Sequence, residues 1–183
     1  NQVTVYQGAE LNPDDVRRFE DEIISSDILL LTNEVPQEVN SAAVSVAAAN
    51  GVKVILNPAP SRELPPEMIG KVWLFTPNEF ETNGLDGMSN VITTLGKNGC
   101  RIERTGEVIP SYTYGDTVDT TGAGDTFSGV LAACLASGDT LENSCRIACI
   151  AAGIEVTSKG VMDAIPYRDL INKAMKRDID FKK

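Results

Sequence analysis

The sequence contains no histidine, which removes every mechanism in which an imidazole moves a proton or binds a metal. Proton transfer must therefore fall to carboxylates, lysine, tyrosine or cysteine. Basic residues are also scarce, because 16 Lys and Arg stand against 26 Asp and Glu, for a net charge of −10. A chain so acidic is a poor partner for nucleic acid or for an anionic membrane surface, and we expect neither as a partner.

Long apolar runs are absent as well. The best run, Ile28–Leu31, is far shorter than the roughly 20 residues of a spanning helix. The first residues lack the basic segment and apolar core of a secretory signal. Cys-x-x-Cys pairs are missing among the four cysteines, three of which fall in helix-like apolar stretches. We therefore expect a cytoplasmic protein with reduced, buried thiols and no structural zinc.

What the chain does contain is an alternation of strand-like and helix-like segments. With 183 residues, 42% of them apolar, it can form one domain over residues 1–183. Strands are predicted at 3–7, 27–32 (buried on both faces), 52–56 and 72–75. Helices are predicted from Pro13, with Val16, Phe19, Ile23 and Ile24 as its apolar stripe, and from Pro36. This rhythm predicts an α/β fold with a mostly parallel sheet flanked by helices.

Polar residues recur just after the predicted strands, where ligands of parallel sheets bind. Each alone is more typical of a helix cap or a turn, but their recurrence favours a common site. They are Asn33 with Glu34, Asn57, Asn78 with Glu81, and Thr94.

The second half predicts a hairpin and several helices. The strand 91–95 turns at 96–99 into the strand 100–104, and another strand follows at 108–114. Helices are expected at 127–137 and 141–157, and a last one from Pro166. The link at 79–90 is barely long enough for a parallel crossover, so either this region is pared down or residues are missing there.

The most informative motif is the segment 118–127, Val-Asp-Thr-Thr-Gly-Ala-Gly-Asp-Thr-Phe. Tyr112, Tyr114 and Val118 suggest a strand that runs into a turn at Gly122 and Gly124 and then a helix. A glycine turn with the free N–H groups of a helix start favours an anion. Asp125 in that position suggests a general base beside an anion hole, although an ordinary helix start is about as good an explanation. The Walker and dinucleotide patterns both fail to match.

Five ordered segments resemble the ribokinase-like sugar kinases, and they favour the ribokinase branch of that family. Besides 118–127 they are Asn57-Pro58-Ala59-Pro60, Thr76-Pro77-Asn78-Glu79-Phe80-Glu81, Thr94-Leu95-Gly96 with Gly99, and Val156-Thr157-Ser158-Lys159-Gly160.

The resemblance implies a role for each matching position. Asp125 would take the proton of a sugar hydroxyl as it attacks ATP, and the N–H groups of Gly122, Ala123 and Gly124 would stabilise the transferring phosphoryl group. Glu34 would contact the sugar. Contacts to ATP are implied for Asn57, Thr94, Gly96, Gly99, Gly124 and Cys149. Mg²⁺ would be held through water by Asn78 and Glu81, and K⁺ by Asp119, Thr121, Ser158, Gly160 and Ala164.

The sequence also departs from the family. Cys149 stands in place of an Asn near the adenine, and Ala164 in place of a Ser near the K⁺ ion. The family's N-terminal strands, lid and glycine-rich sugar segments have no counterpart here. We therefore expect a ribose kinase or its phosphoryl-transfer part, and keep another sugar or nucleoside kinase and a non-catalytic nucleotide-binding remnant as alternatives. A dinucleotide oxidoreductase fits less well, and a homodimer is among the assemblies left open.

Overall fold

The computed structural model describes the backbone of residues 11–181 and the side chains of residues 11–176. The chain forms two compact units, Asn1–Val91 and Ile92–Lys183. The strand expected at 3–7 lies outside the described residues, and one domain over residues 1–183 stays a prediction. Of the helices in this described part, none combines the length and the apolar character needed to cross a membrane.

The first unit alternates helices and strands around a parallel sheet. Its elements are α1 (Pro13–Arg18), α2 (Glu20–Ile24), β1 (Ile28–Thr32), α3 (Gln37–Ala49), β2 (Lys53–Asn57), α4 (Pro66–Ile69) and β3 (Leu74–Phe75). The strand order is β1-β2-β3, with Leu30 opposite Ile55 and Ile55 opposite Leu74. The predicted α/β fold with a parallel sheet is therefore confirmed.

The expectation that β1 is buried on both faces is wrong. All five residues of Ile28–Thr32 are half-buried, whereas four of the five in β2 are fully buried. Among the described strands, β2 is paired on both sides and β1 on one side only. A continuous apolar run therefore predicts the strand correctly, but not its place in the sheet.

The predicted helix from Pro13 is interrupted at Phe19. Asn12 caps its start in a capping box with Asp15, as the Asn-Pro pair predicts. The backbone of Phe19 leaves the helical region, with φ −109° and ψ 19°, and its side chain is exposed. Ile24 is exposed too, so only Val16 and Ile23 of the expected apolar stripe reach the core.

The second unit combines a small antiparallel sheet with three helices. Its elements are β4 (Ile92–Thr94), a 3₁₀ turn (Gly96–Asn98), β5 (Cys100–Ile102), β6 (Glu107–Ile109), α5 (Ala123–Ala136), α6 (Leu141–Glu155), a second 3₁₀ turn (Met162–Ala164) and α7 (Arg168–Phe181). The strand order β4-β5-β6 confirms the predicted hairpin. The core of this unit includes Leu131, Ile150 and Ala151, and α5 packs directly on α6.

The strand predicted at 108–114 is shorter than expected, because β6 ends at Ile109, and the predicted strand into the glycine turn is wrong. Residues 110–120 form no strand, and the end of this segment is held by backbone bonds to α6. Val118 N and Asp119 N donate to Val156 O at 2.8 and 3.2 Å, at the end of α6. The approach to the turn is thus positioned by helix α6 and not by a sheet neighbour.

The connection at residues 79–90 contains turns and no helix. Leu85 is buried and anchors the connection to the core of the first unit. Val91 then pairs with Phe75 in a parallel bridge, and Phe75 N donates to Asn90 O at 2.9 Å. The link is therefore short and poor in helix, as the sequence suggested.

Candidate active site

Gly122 ends the approach and caps helix α5 in a left-handed conformation, with φ 92° and ψ −7°. A Cβ atom there would lie 2.6 Å from Val161 Cγ1 and 3.3 Å from Glu155 Oε1. Both the backbone angle and the close contacts disfavour a side chain at this position. The turn is therefore built for glycine, beyond what a common helix start requires.

The N–H groups at this turn receive no side-chain cap, and that of Ala123 makes only a long backbone bond. No side chain caps helix α5, and Thr126 N donates to Gly122 O at 2.8 Å. Ala123 N reaches Thr120 O only at 3.4 Å. Since the first N–H groups of a helix have no partner within it, the N-terminus of α5 presents donors and a positive dipole end to an anion.

Asp119 links this approach to the loop after α6. Its Oδ1 accepts a bond from Thr121 N at 3.0 Å, and its Oδ2 accepts a longer one from Gly160 N at 3.5 Å. The bond from Thr121 N is the main reason why the pKa of Asp119 lies below its usual value. The predicted cation residues 119, 121 and 160 are therefore neighbours in this structure.

The remaining predicted cation residues lie in the same loop after α6. Ser158 is exposed and its N–H donates to Glu155 O at 3.0 Å, while Ala164 is buried in the 3₁₀ turn. Ala164 N donates to Val161 O at 3.1 Å. Backbone oxygens of this loop could coordinate a cation, but Ala164 has no side-chain hydroxyl to add to them.

Asp125 lies in the first turn of α5 with its carboxylate exposed. An aspartate here is favoured by the helix dipole in any protein, so its position alone does not make it a base. What distinguishes it is the open turn beside it, where a reacting group would meet both N–H donors and a proton acceptor.

Glu155 is a functional candidate that the sequence analysis did not single out. It ends α6 and is fully buried, and neither carboxylate oxygen has a hydrogen-bond partner among the described residues. Burial, then the charges of Asp119 and Asp125, raise its pKa to about 7. The available signal was a glutamate inside the apolar stretch Ile154-Glu155-Val156.

The predicted nucleotide segment of this unit surrounds the hairpin turn. A Cβ atom on Gly99, which has φ 90°, would lie 1.9 Å from Ile109 O, so the chain there passes directly against β6. Gly96 begins the 3₁₀ turn, and Thr94 is half-buried at the end of β4. The structure thus brings Thr94, Gly96 and Gly99 together in one turn.

Cys149 joins this turn from α6. Its Sγ lies 3.8 Å from that of Cys100, the residue that follows Gly99. The bond to Cys100 and burial raise the pKa of the Cys149 thiol, so it remains protonated. Cys149 is 6% exposed and therefore offers an incoming ring little more than an apolar surface.

Three predicted residues of the first unit follow its parallel strands. Asn57 ends β2 and is 7% exposed, and its side-chain oxygen has no partner among the described residues. Asn33 and Glu34 follow β1. Asn33 is buried and is bonded to Pro60 O at 3.2 Å and to Arg62 at 3.3 Å, whereas Glu34 is exposed. The predicted clustering at one sheet edge holds for Asn33 and the segment after β2.

Asn78 and Glu81 form a closed turn after β3. Asn78 N donates to Glu81 Oε2 at 3.0 Å, and Phe80 N donates to Asn78 Oδ1 at 2.8 Å. Both side chains are half-buried. The two residues are therefore held together, with lone pairs remaining on each carboxylate or amide oxygen.

A cavity of about 420 Å³ also lies between β6 and α6. Its lining includes Tyr112, Asn143 and Arg146, and none of the predicted ATP, sugar or cation residues. It is therefore separate from the glycine turn. Among the described residues, no group of three or more acidic or cysteine side chains is arranged to hold a metal ion.

Comparison with known proteins tests the family resemblance seen in the sequence. The family model for pfkB family carbohydrate kinases matches residues 1–168. The chain belongs to this family. The pfkB relatives include ribokinase from Haemophilus influenzae, 34% identical over 84% of this chain and 57% of the relative, and deoxyribokinase from Salmonella typhi, 30% identical over 94% and 64%.

Solved structures of pfkB kinases have a fold similar to that of this chain. The structure of Arabidopsis thaliana ribokinase complexed with ribose and ATP matches with a TM-score of 0.79 at 26% identity, covering 92% of this chain and 61% of that one. The ribokinase-like fold is therefore confirmed. The chain spans about three fifths of the length of these relatives.

Proposed function

We propose that this chain forms the nucleotide-binding and phosphoryl-transfer part of a kinase that uses ATP to phosphorylate the primary hydroxyl of a sugar. One observation carries the proposal: the open, uncapped Gly122 turn beside the carboxylate of Asp125. Membership of the pfkB carbohydrate kinases supports it independently.

Each part of the turn has a task in such a transfer. The carboxylate of Asp125 accepts the proton of the attacking hydroxyl, which makes the oxygen a better nucleophile. The N–H groups of Gly122, Ala123 and Gly124 meet the charge that spreads over the transferring phosphoryl group. Their geometry is set in advance by Gly122, so little reorganisation is needed during the reaction.

ATP and Mg²⁺ are the proposed cosubstrate and cofactor. Mg²⁺ would bridge phosphate oxygens and offset their charge, and it usually keeps several of its waters. Asn78 and Glu81 fit this role, because they are held together and offer oxygen atoms for hydrogen bonds to those waters. Thr94, Gly96, Gly99, Cys149 and Asn57 are the proposed contacts to the nucleotide.

A K⁺ ion is proposed near the turn, since Asp119, Thr121 and Gly160 are neighbours there. Ser158 and Ala164 complete the proposed set through backbone oxygens. All four cysteines are free and buried, which suits a reducing compartment, and we propose the cytoplasm.

Ribose is the proposed substrate, with Glu34 as a contact. The relatives named ribokinase and deoxyribokinase differ in whether their sugar carries a 2-hydroxyl, and 2-deoxyribose is therefore the second candidate. A nucleotide-binding remnant without kinase activity is the alternative.

The test is a coupled ADP-release assay on the full-length protein with ATP, Mg²⁺ and either ribose or 2-deoxyribose. In Asp125→Asn, kcat should fall by about 10²–10⁴-fold, because the amide keeps the shape but does not accept the proton. ATP affinity should stay nearly unchanged.

The matched control is Asp116→Asn, an exposed aspartate in the loop before the turn. It should keep the wild-type rate. Normal turnover by Asp125→Asn would remove the proposed base, and nucleotide binding without turnover on either sugar would favour the remnant.

A further inference from the structure

Among the described residues, the buried carboxylate of Glu155 has no hydrogen-bond partner that would explain its burial. It is fully buried, and both of its oxygens are without hydrogen bonds among the described residues. Buried carboxylates in proteins are normally paired with a base, hydrogen-bonded or bound to a metal. A group of this kind at the buried end of α6, where it follows the apolar residue Ile154, indicates a missing partner.

The position of this carboxylate connects it with the glycine turn. Its Oε1 lies 3.3 Å from the place that a Cβ atom on Gly122 would occupy, and Val161 fills the other side of that place. Glu155 therefore lies behind the turn whose open N–H groups begin helix α5. A side chain at 122 would displace it.

The charges around Glu155 make a cation the fitting partner. The groups that act on its carboxyl are Asp119 and Asp125, and both are acidic. Asp119 lies in the approach to the turn and accepts bonds from Thr121 N and Gly160 N. An uncompensated second carboxylate here would also oppose the binding of phosphate at the turn, since like charges repel.

We infer that Glu155 supplies a ligand, directly or through a water, to a hard metal cation behind the Gly122 turn, together with Asp119. The inference rests on the proposed cation site but adds a charged side chain that the family resemblance does not assign. Lys159 acts on Asp119 as a nearby positive charge, whereas the charged groups that act on Glu155 are acidic, so binding of the cation should stabilise the turn even without nucleotide. Glu155 is a positioning residue, because it acts through the turn and not on the phosphoryl group.

The inference is tested by thermal unfolding of the full-length protein without nucleotide, in KCl, NaCl, MgCl₂, CaCl₂ or choline chloride at equal ionic strength. For the wild type, Tm should be several degrees higher in a metal salt than in choline, and we expect KCl to give this shift. If the site selects a divalent cation instead, the increase in Tm should appear in MgCl₂ or in CaCl₂, and the salt that gives it identifies the cation.

Glu155→Gln should lose the metal-dependent shift and should be more stable than the wild type in choline, because it removes the unpaired charge. The control Glu107→Gln removes an exposed carboxylate from the same unit and should keep the whole shift. If Glu155→Gln does not fold, Glu155→Asp keeps the charge with a shorter side chain, and its shift should be smaller but present.

Equal Tm values in all five salts would overturn the inference, as would a full metal-dependent shift in Glu155→Gln or Glu155→Asp. The kinase assay gives an independent result. A protein without sugar kinase activity can still show the shift, and in that case the proposed function fails while the cation site stands.

Discussion

Two turns, one in each unit, carry the residues expected to meet phosphate and metal, and they differ in how their polar groups are used. In the turn at Asn78–Glu81, each side chain already bonds to a backbone N–H of the same turn. In the turn at Gly122, the helix has no side-chain cap, and the buried Glu155 behind it has no hydrogen-bond partner among the described residues. The first turn is complete by itself, whereas the second is the turn for which we propose a bound cation.

The difference suggests how each turn tolerates change. A turn whose side chains bond to its own N–H groups keeps its shape without ligand. Substitutions in it should therefore affect binding more than folding. In an open turn, an unpaired carboxylate destabilises the folded state. A bound cation would reverse this effect, so folding and cation binding should be linked there. The following variants test this contrast.

Gly122→Ala should have the largest effect. The left-handed backbone alone costs an alanine about 1–2 kcal/mol, and the new Cβ would lie 2.6 Å from Val161 Cγ1. Because the N–H donors would move, kcat should fall by about 10²–10³-fold, comparable to the loss of an oxyanion-hole donor. Steady-state kinetics and thermal unfolding measure both.

The matched control is Gly129→Ala in the middle of the same helix, where a Cβ atom meets nothing within 4 Å. It should be neutral or slightly stabilising, by up to about 1 kcal/mol. Equal stability of the two variants would show that the turn is not built around glycine.

The second largest effect should be the pH dependence of the stability that Glu155 contributes. Its pKa is raised to about 7 in the folded protein, so the folded state binds a proton that the unfolded state has already lost. Stability from this group is therefore present at pH values below the unfolded pKa and lost as the pH rises toward 7. Because a shift of one pKa unit corresponds to about 1.36 kcal/mol, the full loss in the free energy of unfolding is about 3 kcal/mol.

Chemical denaturation in choline buffer between pH 4.5 and 7.5 measures this effect. The difference in unfolding free energy between Glu155→Gln and the wild type should grow in favour of the variant as the pH rises. A difference that stays constant over this range would contradict the raised pKa.

Glu81→Gln should have a moderate effect on catalysis and a small one on folding. The amide oxygen can still accept from Asn78 N, so the turn should survive. Loss of the charge that we propose to orient the waters of Mg²⁺ should lower kcat/KM for MgATP by about 10–100-fold. The exposed neighbour Glu79→Gln is the control and should behave as wild type in the same MgATP titration.

Thr140→Ala should have the smallest effect. Thr140 Oγ1 accepts from Asn143 N at 3.2 Å and caps α6, in contrast to the uncapped α5. Loss of this cap should lower the free energy of unfolding by about 1 kcal/mol and leave kcat unchanged. An effect on kcat as large as that of Gly122→Ala would mean that the contrast between the two helix starts is false.

Much of the local structure could be predicted because it depends on neighbours in the chain. The Asn12-Pro13 start of α1, the hairpin of β4 and β5, and the glycine turn before α5 were all readable as short patterns. Candidate residues such as Asn78, Glu81 and Asp125 were readable for the same reason, since their motifs are short and ordered.

The amino-acid sequence by itself determined the order of the elements, the parallel sheet of the first unit and the need for glycine at 122. Tertiary structure alone decided that β1 is half-buried, that the chain before the turn follows the end of α6 instead of a strand, and that Glu155 lies behind Gly122. The physical reason is distance along the chain. Propensities and caps act over a few residues, whereas the burial of a carboxylate and the charges that surround it depend on contacts between segments far apart in sequence.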